Sequence, residues 1–97
     1  MRIIAKRTLR QFWERHPDSK DSLEAWHSAV RRADWDSPEK VIRQYPRASI
    51  VGSGRVVFRI RGGRYRLIVR VNYRKQVVYI RFIGTHSEYE RVSAEEV

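Results

Sequence analysis

The 97-residue chain contains no cysteine. That excludes a disulfide scaffold, a thiolate nucleophile and a cysteine-ligated zinc ribbon or knuckle. No apolar run approaches the roughly 18 residues that a membrane span needs, and the N-terminus lacks a signal-peptide core. The compartment this predicts is the cytoplasm, with no membrane partner. Glycine-rich phosphate fingerprints are missing too: neither G-x-x-x-x-G-K-[ST] nor G-x-G-x-x-G occurs, and Gly52-Ser53-Gly54 reads as a loop before a strand. Acidic residues are few, 11 Asp and Glu against 21 Lys and Arg, for a net charge of +10. No repeat, linker or low-complexity segment divides the chain.

What is present is enough apolar material for one domain. Hydrophobic residues make up 41% and charged residues 33%, a balance that folds rather than stays disordered. The length supports a single domain, residues 1–97, with one modest core. The positive surplus points to an anionic partner, nucleic acid or an acidic protein. Arginine supplies 17 of the 21 cations. Its fork matches phosphate oxygens bidentately and stacks on bases, which favours phosphate recognition over mere solubility.

The first half reads as helical. Met1 to Ala5 is a short strand. From Lys6 to His16, Leu9, Phe12 and Trp13 fall at i, i+3 and i+4, and Pro17 ends that helix. Asp18 or Ser19 is placed to cap a second helix whose buried face carries Leu23, Trp26, Val30 and Ala33. Ser37-Pro38-Glu39 marks a third start, running to about Gln44. Trp13, Trp26 and Trp35 are core candidates; Trp35, between Asp34 and Asp36, is the weakest of them.

The second half changes period. Val56, Phe58 and Ile60 alternate with Arg55, Val57, Arg59 and Arg61, and Gly62-Gly63 makes a hairpin turn. Tyr65, Leu67, Val69, Val71 and Tyr73 follow. After a turn at Arg74-Lys75-Gln76, Val78, Ile80 and Phe82 continue the apolar face up to Gly84. This predicts a three-stranded antiparallel meander, apolar on one face and basic on the other, covered by the helices: an α+β two-layer domain.

Residues 55–81 hold nine Arg or Lys and no Asp or Glu. A period of two places Arg59 and Arg61, then Arg64, Arg66 and Arg70, then Arg81, on the face away from the core. Cations crowded without counter-ions repel one another, and a bound polyanion relieves this. His86, directly after the last strand, falls at the rim of that face. Histidine exchanges protons near neutral pH, and adjacent arginines favour its neutral form, able to act as a base. Tyr89 is placed to stack on a base or donate its hydroxyl. The structural alternative is that His86 caps the helix or turn opened by Thr85 and Ser87 while Tyr89 packs on the core. His16 sits at a helix C-terminus and His27 beside Trp26; the three histidines share no metal-ligand spacing, so no metal or other cofactor is expected. Basic face, rim histidine and tyrosine fit RNA cleavage by its own 2′-hydroxyl, with arginines stabilising the phosphorane and His86 or Tyr89 moving protons.

Arg2-Ile3-Ile4-Ala5-Lys6-Arg7-Thr8-Leu9, Arg55-Val56-Val57-Phe58, Tyr65-Arg66-Leu67-Ile68-Val69 and the ending Tyr79-Ile80-Arg81-Phe82-Ile83-Gly84-Thr85-His86-Ser87-Glu88-Tyr89 together resemble the HigB toxin family, a branch of the RelE-like bacterial mRNA interferases. The likeness covers essentially the whole chain, and G-T-H-x-E-Y after a Y-R-L strand is its most specific part. It implies a two-layer RelE-like fold and a type II toxin–antitoxin system. The toxin would cut mRNA in the ribosomal A site without metal, leaving a 2′,3′-cyclic phosphate. Its partners would be the ribosome and a helix-turn-helix antitoxin of the HigA type, with operator DNA bound only through the antitoxin complex. By the same resemblance Arg66 matches the strand arginine that holds the scissile phosphate, and Arg59 a basic position on the preceding strand. His86 falls where other branches place an arginine or histidine near the leaving group. Arg81 has a family counterpart, and Tyr89 matches a C-terminal tyrosine whose spacing varies. The general base stays open between His86 and a perturbed arginine or tyrosine. A non-catalytic RNA-binding or ribosome-associated domain using the same basic face is the rival reading.

Overall fold

Apolar residues three and four apart produce three helices that close over one face of a sheet. In chain order the computed structural model, which describes residues 1–97, has β1 (Arg2–Ile4), α1 (Lys6–Arg15), α2 (Lys20–Arg31), α3 (Pro38–Gln44), β2 (Ser49–Ile50), β3 (Arg55–Ile60), β4 (Tyr65–Asn72), β5 (Val77–Thr85) and α4 (His86–Tyr89). Leu9 and Phe12 from α1, Leu23, Trp26 and Val30 from α2, and Val41 from α3 are buried against Val56, Phe58, Ile60, Tyr65, Leu67 and Val69 of the sheet. Trp35 is buried at 2% exposure, its ring stacked on Phe58, while Trp13 is only half-buried. The flanking aspartates point outward and leave the indole free to enter the core, so the ranking of the tryptophans is reversed.

Neither expected cap of α2 forms. Ser19 Oγ donates to the His16 carbonyl at 2.7 Å, and the Asp18 carboxylate takes a bond from Tyr65 instead. α3 begins where expected, with Ser37 extended and Pro38 at the first helical position, but the Ser37 side chain makes no capping bond.

The sheet has five strands in the order β1-β5-β4-β3-β2, with β1 parallel to β5 and the other pairs antiparallel. The meander β3-β4-β5 is its centre, as expected; β2 is too short to leave a periodic signal. Ile68 pairs with Phe82 while Val69 pairs with Ile80, so Arg81 is an extra residue without an opposite number. This bulge reverses the phase of β5 beyond it. Phe82 is therefore off the core face, beside Ile68, contrary to strict alternation, and Ile83 takes the core side.

The face away from the helices is consequently not uniformly basic. Arg55, Arg70 and Tyr79 form one row, Val57, Ile68 and Phe82 the next, and Arg59, Arg66 and Gly84 the last. Val57 and Ile68 are buried, at 4% and 0% exposure. The chain beyond α4 returns over this face: the backbone oxygen of Val97 accepts bonds from Arg55 Nε at 3.2 Å and Nη2 at 2.8 Å, and the Glu95 carboxylate lies against Gly52. Ile68→Ala is expected to cost about 2–5 kcal/mol in chemical denaturation, the range for a buried aliphatic truncation. A loss below about 1 kcal/mol would show the row to be open to solvent.

Candidate active site

The β3–β4 hairpin and the end of β5 converge on one corner of that face. Arg59 and Arg66 stand directly opposite each other, and Arg66 is opposite Gly84. Arg66 is 8% exposed, whereas Arg59 is open to solvent. One Arg66 amino group donates to the Gly63 carbonyl, and the guanidinium lies 5.7 Å from the centre of the Tyr89 ring. Gly63, at φ +97°, is the hinge: a Cβ there would stand 3.1 Å from Arg66 Nη1 and 3.5 Å from Arg59 Nη1. A side chain would thus occupy the space where the two forks approach. Gly84 has a matching role, since a Cβ would meet Phe82 Cζ at 2.6 Å and Glu88 Oε1 at 3.1 Å. No carboxylate lies within 4.0 Å of either arginine; all five ion pairs in the molecule are elsewhere. Opposed like charges on neighbouring strands destabilise a sheet, and these two are left with donors for an anion.

α4 brings the remaining groups. Thr85 caps it with a capping box: its hydroxyl accepts from the Glu88 N–H at 3.2 Å, and Glu88 Oε1 accepts from the Thr85 N–H at 2.8 Å. The Thr85 N–H holds the Glu88 carboxyl below its ordinary value of 4.5, assisted by His16 and Arg15. The cap is therefore Thr85, not His86. His86 is exposed at the first helical position, with Nε2 2.6 Å from Glu90 Oε1. Its close partner is a carboxylate one turn away, not the arginine cluster that the strand pattern suggested. Tyr89 is half-buried against Arg66.

Four of the expected basic-face residues lie away from this corner. Arg61 has left the strand, at φ +52°, and its Nε lies 3.4 Å from Asp18 Oδ2; Arg64 Nη1 is at the same distance from that oxygen. Both point towards the helical layer, because the hairpin turn begins at Arg61 and resets the phase. Arg70 stacks on Tyr79 in the first row, four residues along β4 from Arg66, or about 13 Å at the rise of a strand. Arg81 is the exposed bulge residue of β5. The structure thus brings Arg59, Arg66 and Tyr89 together at one corner, while His86, on the same short helix as Tyr89, is turned to Glu90.

Asp18 is the tie that strand alternation missed. Its Oδ1 accepts from the Tyr65 hydroxyl at 2.6 Å. That bond, chiefly, holds the Asp18 carboxyl below its ordinary 3.8; partial desolvation opposes it, and Arg64 and Arg61 add to it. A carboxyl depressed on folding contributes stability above its unfolded value and loses it as pH falls through the folded one. Asp18→Asn is therefore expected to lower the melting temperature at pH 7, with the gap from the parent narrowing below pH 3.8. A gap that stays constant down to acid pH would remove Asp18 from the acid limb.

The corner thus presents two arginines without a carboxylate partner at the end of a small α+β sheet, with a tyrosine on the following helix. Residues 19–92 match the HigB toxin family, described as the RelE-like toxic component of a toxin–antitoxin system. The chain belongs to that family. It is 26% identical over 96 residues to the mRNA interferase toxin HigB of Escherichia coli strain K12, which covers 97% of this chain and 92% of that protein. Proteins of Escherichia coli O157:H7 and Shigella flexneri, each named mRNA interferase HigB, match with the same identity and coverage.

Proposed function

We propose that this toxin is an endoribonuclease that cuts mRNA, as the names of its relatives state for them. The observation that carries the reading is the Arg59–Arg66 pair, opposed across two strands and without a carboxylate within 4.0 Å. In the proposed reaction the scissile phosphate sits on these two forks. The 2′-oxygen attacks phosphorus as its proton passes to solvent water, and the bond to the 5′-oxygen breaks as that oxygen is protonated. The products are a 2′,3′-cyclic phosphate and a 5′-hydroxyl. Positive charge aimed at the phosphorane stabilises it more than the ground state, and that difference accelerates the reaction. Arg66 is the better placed of the pair, since its burial, the Gly63 carbonyl and the Tyr89 ring fix it before substrate arrives. His86 in its doubly protonated form, with Nε2–H donated to Glu90, gives the Nδ1 proton to the leaving oxygen.

The substrate is mRNA in the ribosomal A site, and the toxin works in the cytoplasm without a metal. Its neutralising partner is a HigA-type helix-turn-helix antitoxin, through which the pair reaches operator DNA. Exposed Arg70 and Arg81 serve longer-range contacts with RNA phosphates. Primer extension on a translated mRNA, with and without ribosomes and with excess EDTA in the ribosome-free arm, tests the reading. Cuts phased with codons, seen only on ribosomes and ending in a cyclic phosphate, are expected. Intact RNA in both arms, with binding retained, would make this a binding module instead.

A further inference from the structure

A cleft of about 220 Å³ opens at the sheet edge next to Arg59, between the end of α3 and β3, lined among others by Gln44, Tyr45, Arg47, Phe58 and Gly62. It exists because β2 pairs with β3 only at Ser49↔Val57 and Ile50↔Val56, leaving β3 without a neighbour beyond that point. Phe58 supplies an apolar wall, buried at 1% exposure, and the Tyr45 ring stands edge-on to it at 5.2 Å. The polar groups are mostly donors. Gln44 Oε1 accepts from Trp35 Nε1 at 2.9 Å, which sets the amide orientation and leaves its NH₂ group without a partner. Arg47 is exposed and lies in no ion pair. Arg59 belongs both to this cleft and to the Arg66 corner.

We propose that the cleft receives the base of the nucleotide adjoining the phosphate on Arg59 and Arg66, with a preference for guanine. This rests on the ribonuclease reading for what occupies the arginine corner. A polynucleotide whose phosphate lies on Arg59 has its neighbouring base within reach of the cleft. The space admits one flat ring system beside an aromatic wall, and is too small for a helix or a folded protein segment. Its donors match the acceptor pair O6 and N7 that guanine displays, whereas cytosine and adenine present amino groups there. Sequence preference would then arise at Gln44 and Arg47, away from the cutting chemistry.

Nitrogen–proton correlation spectra of the folded protein, titrated with 5′-GMP, 5′-CMP and ribose 5-phosphate, test this directly. GMP is expected to shift the Gln44 side-chain amide and the Gly62 backbone amide. CMP should do so several-fold more weakly, and ribose 5-phosphate only near Arg59 and Arg66. Arg47→Ala should weaken GMP about tenfold, the effect of one good base contact. GMP and ribose 5-phosphate giving the same shifts would overturn the proposal, as would full GMP affinity in Arg47→Ala. Cleavage mapping separates the two failures. A protein that binds GMP in the cleft yet never cuts RNA defeats the ribonuclease reading alone. One that cuts with base preference unchanged in Arg47→Ala defeats this inference alone.

Discussion

Arg66→Ala is expected to slow single-turnover mRNA cleavage about 10²- to 10³-fold, the typical loss when one preorganised charge donor is removed from a transition state. Arg66 is buried at 8% exposure, pinned by the Gly63 carbonyl and lying on the Tyr89 ring, so no reorganisation is needed when charge develops on the phosphorane. Arg59 carries the same charge on an exposed, less constrained side chain, and Arg59→Ala should lose less, about tenfold. Arg66→Lys keeps a cation but not the fork, and should recover only part of the rate. Stability should move the other way. Removing one of two arginines paired directly across β3 and β4 relieves a like-charge contact, so the melting temperature of Arg66→Ala should hold or rise. A site that gives up stability for function shows that divergence. Cleavage within twofold of the parent would take Arg66 out of the chemistry. Loss of rate together with collapse of the thermal transition would make it a structural residue.

How far the sequence discloses this arrangement depends on which physical rule governs each residue. Helices with apolar residues three and four apart were legible because burial of one stripe is their main stabilisation; Leu9, Phe12, Leu23, Trp26 and Val30 all lie where the spacing puts them. That Arg59 and Arg66 share the face away from the core was also legible, since alternation holds wherever strands run unbroken; that they stand opposite each other was not. Alternation failed at two breaks. The turn residue Arg61 at φ +52° swings itself and Arg64 to Asp18, and the bulge at Arg81 turns Phe82 away from the core. A bulge adds one residue to one strand and leaves no compositional trace, so no periodicity reports it. β2 was missed because two residues cannot show a period. The His86–Glu90 pair sits at the i, i+4 spacing of helical ion pairs and could have been found from that spacing, had a helix been placed over His86 to Glu90. Asp18 had no local signal: its partner Tyr65 is 47 residues away in sequence.

His86→Ala is expected to reduce the cleavage rate about 10²- to 10⁴-fold, the contribution of a positioned proton donor. The fold should survive, because His86 is exposed and the capping of α4 is done by Thr85 and Glu88. Glu90→Gln probes the same proton from one step away. Glu90 touches His86 Nε2, so it is expected to act as a positioning residue that orients the ring. Its loss should cost less than loss of the imidazole, and should alter the pH dependence of the rate, which a purely structural role would leave in place. The decisive comparison replaces the scissile 5′-oxygen by sulfur in a single linkage of the mRNA. A thiolate leaves without protonation, so a general acid becomes dispensable. His86→Ala and the parent should then cut the sulfur-substituted linkage at nearly equal rates, although they differ by orders of magnitude on the natural one. Arg66→Ala should remain slow on both, because charge on the phosphorane is present whichever atom departs. Should the His86→Ala defect persist undiminished on the sulfur substrate, His86 would act on the 2′-hydroxyl side, as the base that takes its proton. The same experiment therefore assigns the direction of proton transfer and separates it from electrostatic stabilisation by the opposed arginines.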